Sequence, residues 1–264
     1  MSALLLSLWR YRGFVLSSIR NEFVTRFARS RLGGLWMIIH PLAQVAIYAL
    51  ILSNVLAAKL PGIDNKYAYA IYLMAGMLAW NLFAEIVGRC VTLFIEQGNL
   101  MKKIVFPRIA LPAIVVGSSV LNNGMLFVAM LGVFALLGHP PGIAILWLPL
   151  LAMVVVALAL GLGLVLGVLN VFIRDIGQVV PIVLQVLFWF TPIVYPVNII
   201  PEAYRHLLAL NPMFPVVNAY QQAVVYGARP DLGGLGVIAL FALGLLGLGL
   251  FLFRKASGEM VDAL

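Results

Sequence analysis

Charged side chains are scarce in this 264-residue chain, in which Asp, Glu, Lys and Arg together make up 10% of the residues. Soluble domains average about 25%. Hydrophobic residues reach 64%, and one core of this size could not bury so much apolar surface, so lipid must cover much of it. The composition excludes an ordinary soluble domain and predicts a single membrane domain over residues 1–264.

Residues that carry enzyme chemistry are also few and dispersed. Cys90 is the only cysteine, which excludes a disulfide within the chain and a cysteine metal cluster. There is no His-Glu-x-x-His motif, and none of the five lysines follows a glycine-rich loop of the kind that binds ATP. We therefore expect no catalytic residue, metal or cofactor here, so that any ATP-driven step would need an ATPase in another polypeptide.

Six apolar runs are each long enough to cross the hydrocarbon core of a bilayer as a helix. The chain is therefore predicted to be an all-α integral membrane protein with six transmembrane helices. The runs lie near Leu35–Ala57, Tyr69–Phe94, Ile109–Leu137, Ile143–Phe172, Ile176–Tyr195 and Leu235–Phe253.

The 17 lysines and arginines are distributed unevenly about these spans. Twelve lie in the N-terminal segment and in the loops of one side, four lie on the other side, and Arg89 lies within a span. By the positive-inside rule, both termini are expected in the cytoplasm, and the net charge of +8 is expected to meet anionic lipid and not nucleic acid. The apolar run Ala3–Trp9 is too short for a secretory signal, so the first span is expected to act as an uncleaved insertion signal.

Residues 1–33 are predicted to form an amphipathic helix that carries six arginines. Bulky apolar side chains recur at three- and four-residue spacing, and polar ones fall largely on the other side. This pattern favours a helix lying in the membrane interface, with a solvated cytoplasmic helix as the alternative. The apolar set is Leu16, Ile19, Phe23 and Phe27, and the polar set is Glu22, Thr25, Arg26 and Arg29.

The segment before the last span is rich in proline and too interrupted to cross a membrane. Two short helices are predicted, Pro201–Leu210 and Pro215–Tyr226, each opened by a proline. Because both are apolar yet shorter than a span, residues 196–231 are predicted to form two periplasmic re-entrant helices packed on protein. An ordinary periplasmic loop with a surface helix is the alternative.

Glu85 and Arg89 are two ionisable residues inside the second predicted span. Their i,i+4 spacing allows an intramembrane ion pair on one helical face. The pair could line a hydrated path, or it could lie near the interface with the arginine reaching toward water. The glycines Gly163 and Gly167 of the fourth span are predicted to allow close packing within one subunit.

Aromatic side chains cluster near the outer ends of the second and fifth spans. An interfacial aromatic belt would explain most of them, and a surface on which sugar rings stack is the alternative. They are Tyr67, Tyr69, Tyr72, Phe188, Trp189, Phe190 and Tyr195, with Trp80 and Phe83 at greater depth.

Residues 97–108 connect the second and third spans. This loop is short, basic and predicted to be cytoplasmic, yet it carries four bulky apolar residues that a solvated loop seldom needs. A helix that docks on a partner, ended by Pro107, is the interpretation we favour. The apolar residues are Leu100, Met101, Ile104 and Phe106.

Four stretches in order along the chain resemble the ABC-2 type permeases that export bacterial surface polysaccharides, especially the O-antigen permeases. Together they extend the resemblance over essentially the whole chain. They are Arg26-Phe-Ala-Arg-Ser-Arg-Leu-Gly-Gly-Leu-Trp36 with His40-Pro41; Lys103-Ile-Val-Phe-Pro-Arg108; Phe172-Ile-Arg-Asp-Ile176 with Thr191-Pro-Ile-Val-Tyr-Pro196; and Asn211-Pro212.

The resemblance implies a homodimer in the bacterial inner membrane with two ATP-binding cassette subunits, which would bind the ATP and magnesium. The two copies of the chain would together move a polysaccharide on a polyprenyl diphosphate lipid from cytoplasm to periplasm. The implied coupling residues are Leu100, Met101, Lys102, Lys103, Phe106 and Pro107. The implied entrance for the lipid diphosphate is formed by Arg26, Arg29 and Arg31, and the implied channel is lined by Trp80, Phe83, Phe188, Trp189 and Tyr195.

Several other functions compete with O-antigen export. Capsular polysaccharide or teichoic acid export would fit the same spans. An ion-coupled secondary transporter is disfavoured because it usually shows an internal repeat and broken helices near the midplane. A membrane-embedded enzyme, such as a glycosyltransferase, is disfavoured because the nine acidic residues are dispersed.

Overall fold

A computed structural model describes residues 9–27, 32–55, 68–103, 107–136, 142–208 and 210–263, which contain helices and connecting turns and no strand. Short 3₁₀ segments precede α2 and α6. The helices are α1 (Arg12–Phe27), α2 (Trp36–Val55), α3 (Ala68–Glu96), α4 (Gly98–Lys103), α5 (Ala110–Leu136), α6 (Leu148–Phe172), α7 (Ile176–Phe190), α8 (Glu202–Leu208), α9 (Met213–Val225), α10 (Leu232–Ala256) and α11 (Glu259–Ala263).

Four of these helices, α3, α5, α6 and α10, are long and apolar enough to cross a membrane. They agree with the predicted second, third, fourth and sixth spans. The predicted fifth span differs, because α7 ends at Phe190 after 15 residues, about 22 Å at 1.5 Å per residue. It stops there because Thr191 precedes Pro192 and adopts an extended conformation.

Helix α3 lies at the centre of the fold. It contacts α2, α5, α6, α7 and α9, and 78% of its most apolar window is buried, against 17% for α10. Polar residues placed on α3 are therefore surrounded by protein, whereas α10 presents most of its surface outward.

Glycines bring the central helices into close contact. Gly163 of α6 packs against the Cys90 side chain of α3, and Gly161 packs against the backbone of α10 at Leu246. A Cβ atom at Gly161 would lie 2.5 Å from the Leu246 nitrogen. Gly167, the other predicted glycine, lies against the Cys90 backbone carbonyl of α3, so the predicted close packing of Gly163 and Gly167 within one subunit is confirmed.

Helix α1 packs on α5, and this contact corrects the predicted division of its faces. Ile19 is buried over Gly117 of α5. Leu16, predicted to share its face, is exposed. Glu22, predicted to lie opposite, points into the protein toward Arg89 of α3. The inward side of α1 therefore carries both an apolar residue packed on α5 and a carboxylate paired with α3.

The two predicted short helices correspond to α8 and α9, which differ in burial. Most of α9 is buried against α3 and α6. By contrast, residues 202–205 of α8 are exposed. Only α9 therefore has the packing on protein expected of a re-entrant helix.

Candidate functional site

A polar network joins α1, α3 and α5 around Arg89. The Arg89 guanidinium donates to the Glu22 carboxylate at 2.6 Å and to the Ser118 hydroxyl at 2.7 Å. Its distance to the Glu85 carboxylate, one turn earlier on α3, is 3.6 Å. Charge in a low-dielectric region is costly unless it is paired and hydrogen-bonded, so two carboxylates and a hydroxyl together stabilise this arginine.

The network continues from Glu85 to α5. Asn122 donates its side-chain amide to Glu85 at 2.8 Å, and Asn123 donates to the Leu78 carbonyl at 2.9 Å. Beside them lies a cavity of about 330 Å³ bounded by α2, α3 and α5, which we call the amide cavity. Its polar lining consists of His40, Gln44, Asn81, Glu85, Asn122 and Asn123.

Sequence reasoning missed the amides of this cavity. Gln44, Asn81 and the pair Asn122-Asn123 each fall close to the middle of an apolar helix. Amide side chains are unfavourable at such positions unless neighbouring groups form hydrogen bonds with them. An amide near the midpoint of three separate apolar runs was the signal that could have revealed the site.

A second cavity, of about 640 Å³, lies on the side of Arg89 that faces α1. Glu22, Arg89 and Glu96 line it together with residues of α1 and α5. Glu85 lines the amide cavity and Arg89 lines this second one, so the ion pair lies between two polar spaces.

The five aromatic residues predicted to line a channel are brought close together, with unequal exposure. Ring centroids are 5.7 Å apart for Trp80 and Phe83, and 5.6 Å apart for Trp80 and Phe188 and for Phe188 and Trp189. The Tyr195 hydroxyl donates to the Trp189 carbonyl at 2.6 Å. Phe83 is 1% exposed, whereas Trp189 is 50% exposed, so Trp189 offers the accessible ring of the set.

Tyr69 and Tyr72 are buried, which overturns their assignment to an interfacial aromatic belt. Tyr69 donates its hydroxyl to the Val194 carbonyl, and Tyr72 donates to the Pro192 carbonyl at 3.1 Å. Gln221 of α9 donates to the same Pro192 oxygen at 3.0 Å. These three bonds supply donors to carbonyl groups of the irregular backbone after α7.

Helix α4 occupies part of the predicted coupling loop. Lys102 is exposed, but Met101 is 5% exposed and packs in the core, which corrects the prediction that it faces a partner. Leu100 and Pro107 are half-buried. The Lys103 side chain and Phe106 lie outside the described residues.

At the end of this loop, Arg108 donates to the Ser257 hydroxyl at 2.6 Å. The loop and the end of α10 are therefore held together.

The predicted entrance for a lipid diphosphate falls almost wholly outside the described residues. Arg26 belongs to α1, but its side chain is not described, and neither are Arg29 and Arg31. No group of three or more His, Cys, Asp and Glu side chains that could hold a metal ion occurs within the described ranges.

Comparison with known proteins adds to this geometry. The family model for ABC-2 type transporters matches residues 14–225. The chain is 28% identical over 267 residues to the O-antigen export system permease protein RfbA of Myxococcus xanthus, and this alignment covers 100% of both chains. It is 26% identical over 249 residues to the protein of the same name from Klebsiella pneumoniae, with 92% of each covered. It is also 28% identical over 244 residues to the polysialic acid transport protein KpsM of Escherichia coli, with 92% of this chain and 93% of that one covered.

Proposed function

Because this chain belongs to the ABC-2 type transporter family, we propose that it is the channel-forming subunit of an ATP-driven O-antigen exporter. Its substrate would be polysaccharide on a polyprenyl diphosphate lipid, carried from cytoplasm to periplasm across the inner membrane. The observation that carries this proposal is the similarity to an O-antigen export permease over the full length of both chains.

Capsular polysaccharide export is a second candidate, supported by the similarity to the polysialic acid transport protein. Teichoic acid export remains the other alternative within the family. The three candidate functions differ in the polymer that is exported. The four apolar helices, including the buried α3, do not distinguish among them.

We propose that α2 and α7 complete a set of six spans and that α9 re-enters from the periplasmic side, while the exposed α8 lies at the periplasmic surface. The buried face of α9 and the satisfied carbonyls between α7 and α8 support this arrangement. Both termini would then be cytoplasmic, in agreement with the excess of basic residues on that side.

The polymer path is proposed to lie between two copies of the chain. Within one protomer the centre is occupied by α3, and the amide cavity, at about 330 Å³, has the volume of a small-molecule site. A polymer therefore needs a surface shared between copies, and the exposed face of Trp189 would contribute to it.

The ATPase subunits are proposed to contact α4. The sequence contains no phosphate-binding loop of its own. Lys102 projects from α4, and the link between Arg108 and Ser257 ties the neighbouring backbone to the end of α10. Arg26, Arg29 and Arg31 would attract the lipid diphosphate by charge.

Co-expression tests this function directly. The chain is produced together with an ATP-binding cassette subunit from its own source organism. The expression host is a Gram-negative strain that lacks its own O-antigen permease. We expect stoichiometric copurification of the ATPase and the return of O-antigen to the cell surface. Export activity in the consistent absence of a bound ATPase would reject the proposal.

A further inference from the structure

We propose that the amide cavity binds one uncharged sugar unit of the exported polymer inside each protomer. This inference rests on the proposed function, because it assumes that a polysaccharide passes along this chain.

The position of the cavity is the first argument. Its amides come from three helices, with Gln44 on α2, Asn81 on α3 and Asn122 on α5, each near the midpoint of its helix. Polar side chains at such depth are rare and usually mark a substrate or ion pathway. Because the three amides lie at a similar position along their helices, they form one polar patch between otherwise apolar helices.

The hydrogen-bonding capacity of the lining is the second argument. Among the described residues, no hydrogen bond is made by the side chain of Asn81 or of His40, although both line the cavity. Amides and imidazole both donate and accept, and this matches sugar hydroxyls, which do the same.

An aromatic residue at the edge of the cavity is the third argument. Trp36 lines the space and is 51% exposed, so it offers a large apolar surface beside the amides. A volume of about 330 Å³ lies at the lower end of the range of about 300–1,000 Å³ for small-molecule sites. One sugar ring with water fits such a space, whereas several rings do not.

The charge of the lining selects among sugars. Glu85 is the acidic group in the cavity, and Asn122 holds its carboxylate in place. Arg89 lies 3.6 Å from Glu85 but is also paired with Glu22 at 2.6 Å, so two carboxylates share one guanidinium and the group keeps a net negative charge. Like charges repel strongly at low dielectric, so a uronic or sialic acid unit is disfavoured and a neutral sugar is accepted.

Saturation-transfer NMR on the full-length chain in detergent tests the site with defined probes. The probes are methyl α-D-mannoside, N-acetyl-D-glucosamine and D-glucuronate. We expect signals from the two neutral probes that fall at least fivefold in Asn81→Leu. Asn198→Leu, an exposed amide outside the cavity, is the matched control and should keep them. Glucuronate should give at most one fifth of the neutral signal.

Equal signals from the unmodified chain and Asn81→Leu, or equal signals from glucuronate and the neutral probes, would overturn the proposal. Surface export by Asn81→Leu is measured in the same strain as the parent chain. Normal export with sugar binding abolished would also overturn it, because the cavity would then lie off the polymer path. If the unmodified chain restores no export but binds neutral sugars, the proposed function fails while the site remains.

Discussion

The guanidinium of Arg89 in the buried helix α3 donates a 2.6 Å hydrogen bond to the carboxylate of Glu22 in α1. Sixty-seven residues separate the two in sequence. The N-terminal helix is therefore anchored to the centre of the protein by an ion pair as well as by the packing of Ile19 on α5. Displacement of α1 would therefore leave Arg89 without its closest carboxylate.

Removal of the Glu22 carboxylate should loosen α1. We expect Glu22→Ala to lower the free energy of unfolding by about 1–2 kcal/mol, because Arg89 loses its closest carboxylate. The value is modest because both side chains are partly exposed to solvent. Thermal unfolding in detergent and trypsin cleavage at Arg20 measure the effect. Glu202→Ala removes the carboxylate of an exposed pair with Arg205 and should change neither; equal effects from the two variants would contradict the anchor.

Close packing of α6 on α10 should make Gly161 intolerant of any side chain. Gly161→Ala places a Cβ 2.5 Å from the Leu246 nitrogen, so the helices must separate, at a cost of about 1–3 kcal/mol. Gly244→Ala, where a Cβ meets no atom within 4 Å, is the control. Monodisperse yield by fluorescence-detected size exclusion should fall only in the first variant.

The hydroxyl of Tyr69 should stabilise the irregular backbone after α7. Tyr69→Phe keeps the ring but leaves the Val194 carbonyl without this donor, and an unsatisfied buried carbonyl costs about 1–3 kcal/mol. We expect the thermal midpoint to decrease, with Tyr204→Phe, an exposed tyrosine of α8, unchanged. Identical midpoints for both variants would show that the hydroxyl of Tyr69 is dispensable.

An aromatic polymer path should depend on Trp189 more than on the rest of the cluster. Replacing both Phe188 and Trp189 by alanine would mix two effects, because Phe188 is buried and its loss leaves a cavity. Trp189→Ala is expected to reduce surface polysaccharide severalfold while the chain assembles normally. Phe188→Leu, which keeps a large apolar side chain at the buried position, should export normally, and unchanged polysaccharide in Trp189→Ala would exclude the path.

Contact with the ATPase should depend on the exposed charge of α4. We expect Lys102→Glu to reduce copurification of the ATP-binding cassette subunit at least threefold, since the substitution reverses charge at the proposed interface. Lys255→Glu makes the same change at the exposed end of α10 and serves as the comparison. Equal recovery of the ATPase with Lys102→Glu and with the parent chain would place the interface elsewhere.

The amino-acid sequence by itself determined the helical membrane class, the positions of the four long apolar helices and the two short helices before the last span. These features are local, because an apolar run of sufficient length, or a proline at a helix end, acts through neighbouring residues. The motifs near Arg26, Lys103, Phe172 and Asn211 indicated the same family that the family model identifies.

Only the tertiary structure decided which helix lies at the centre and what its polar residues contact. The least apolar of the four long helices, α3, is the most buried, while the more apolar α10 faces outward. Polar groups are tolerated where neighbouring helices hydrogen-bond them, and a helix against lipid must be apolar. The bonds from Arg89 to Glu22 and from Tyr72 to Pro192 join distant parts of the chain, and no local periodicity carries that information.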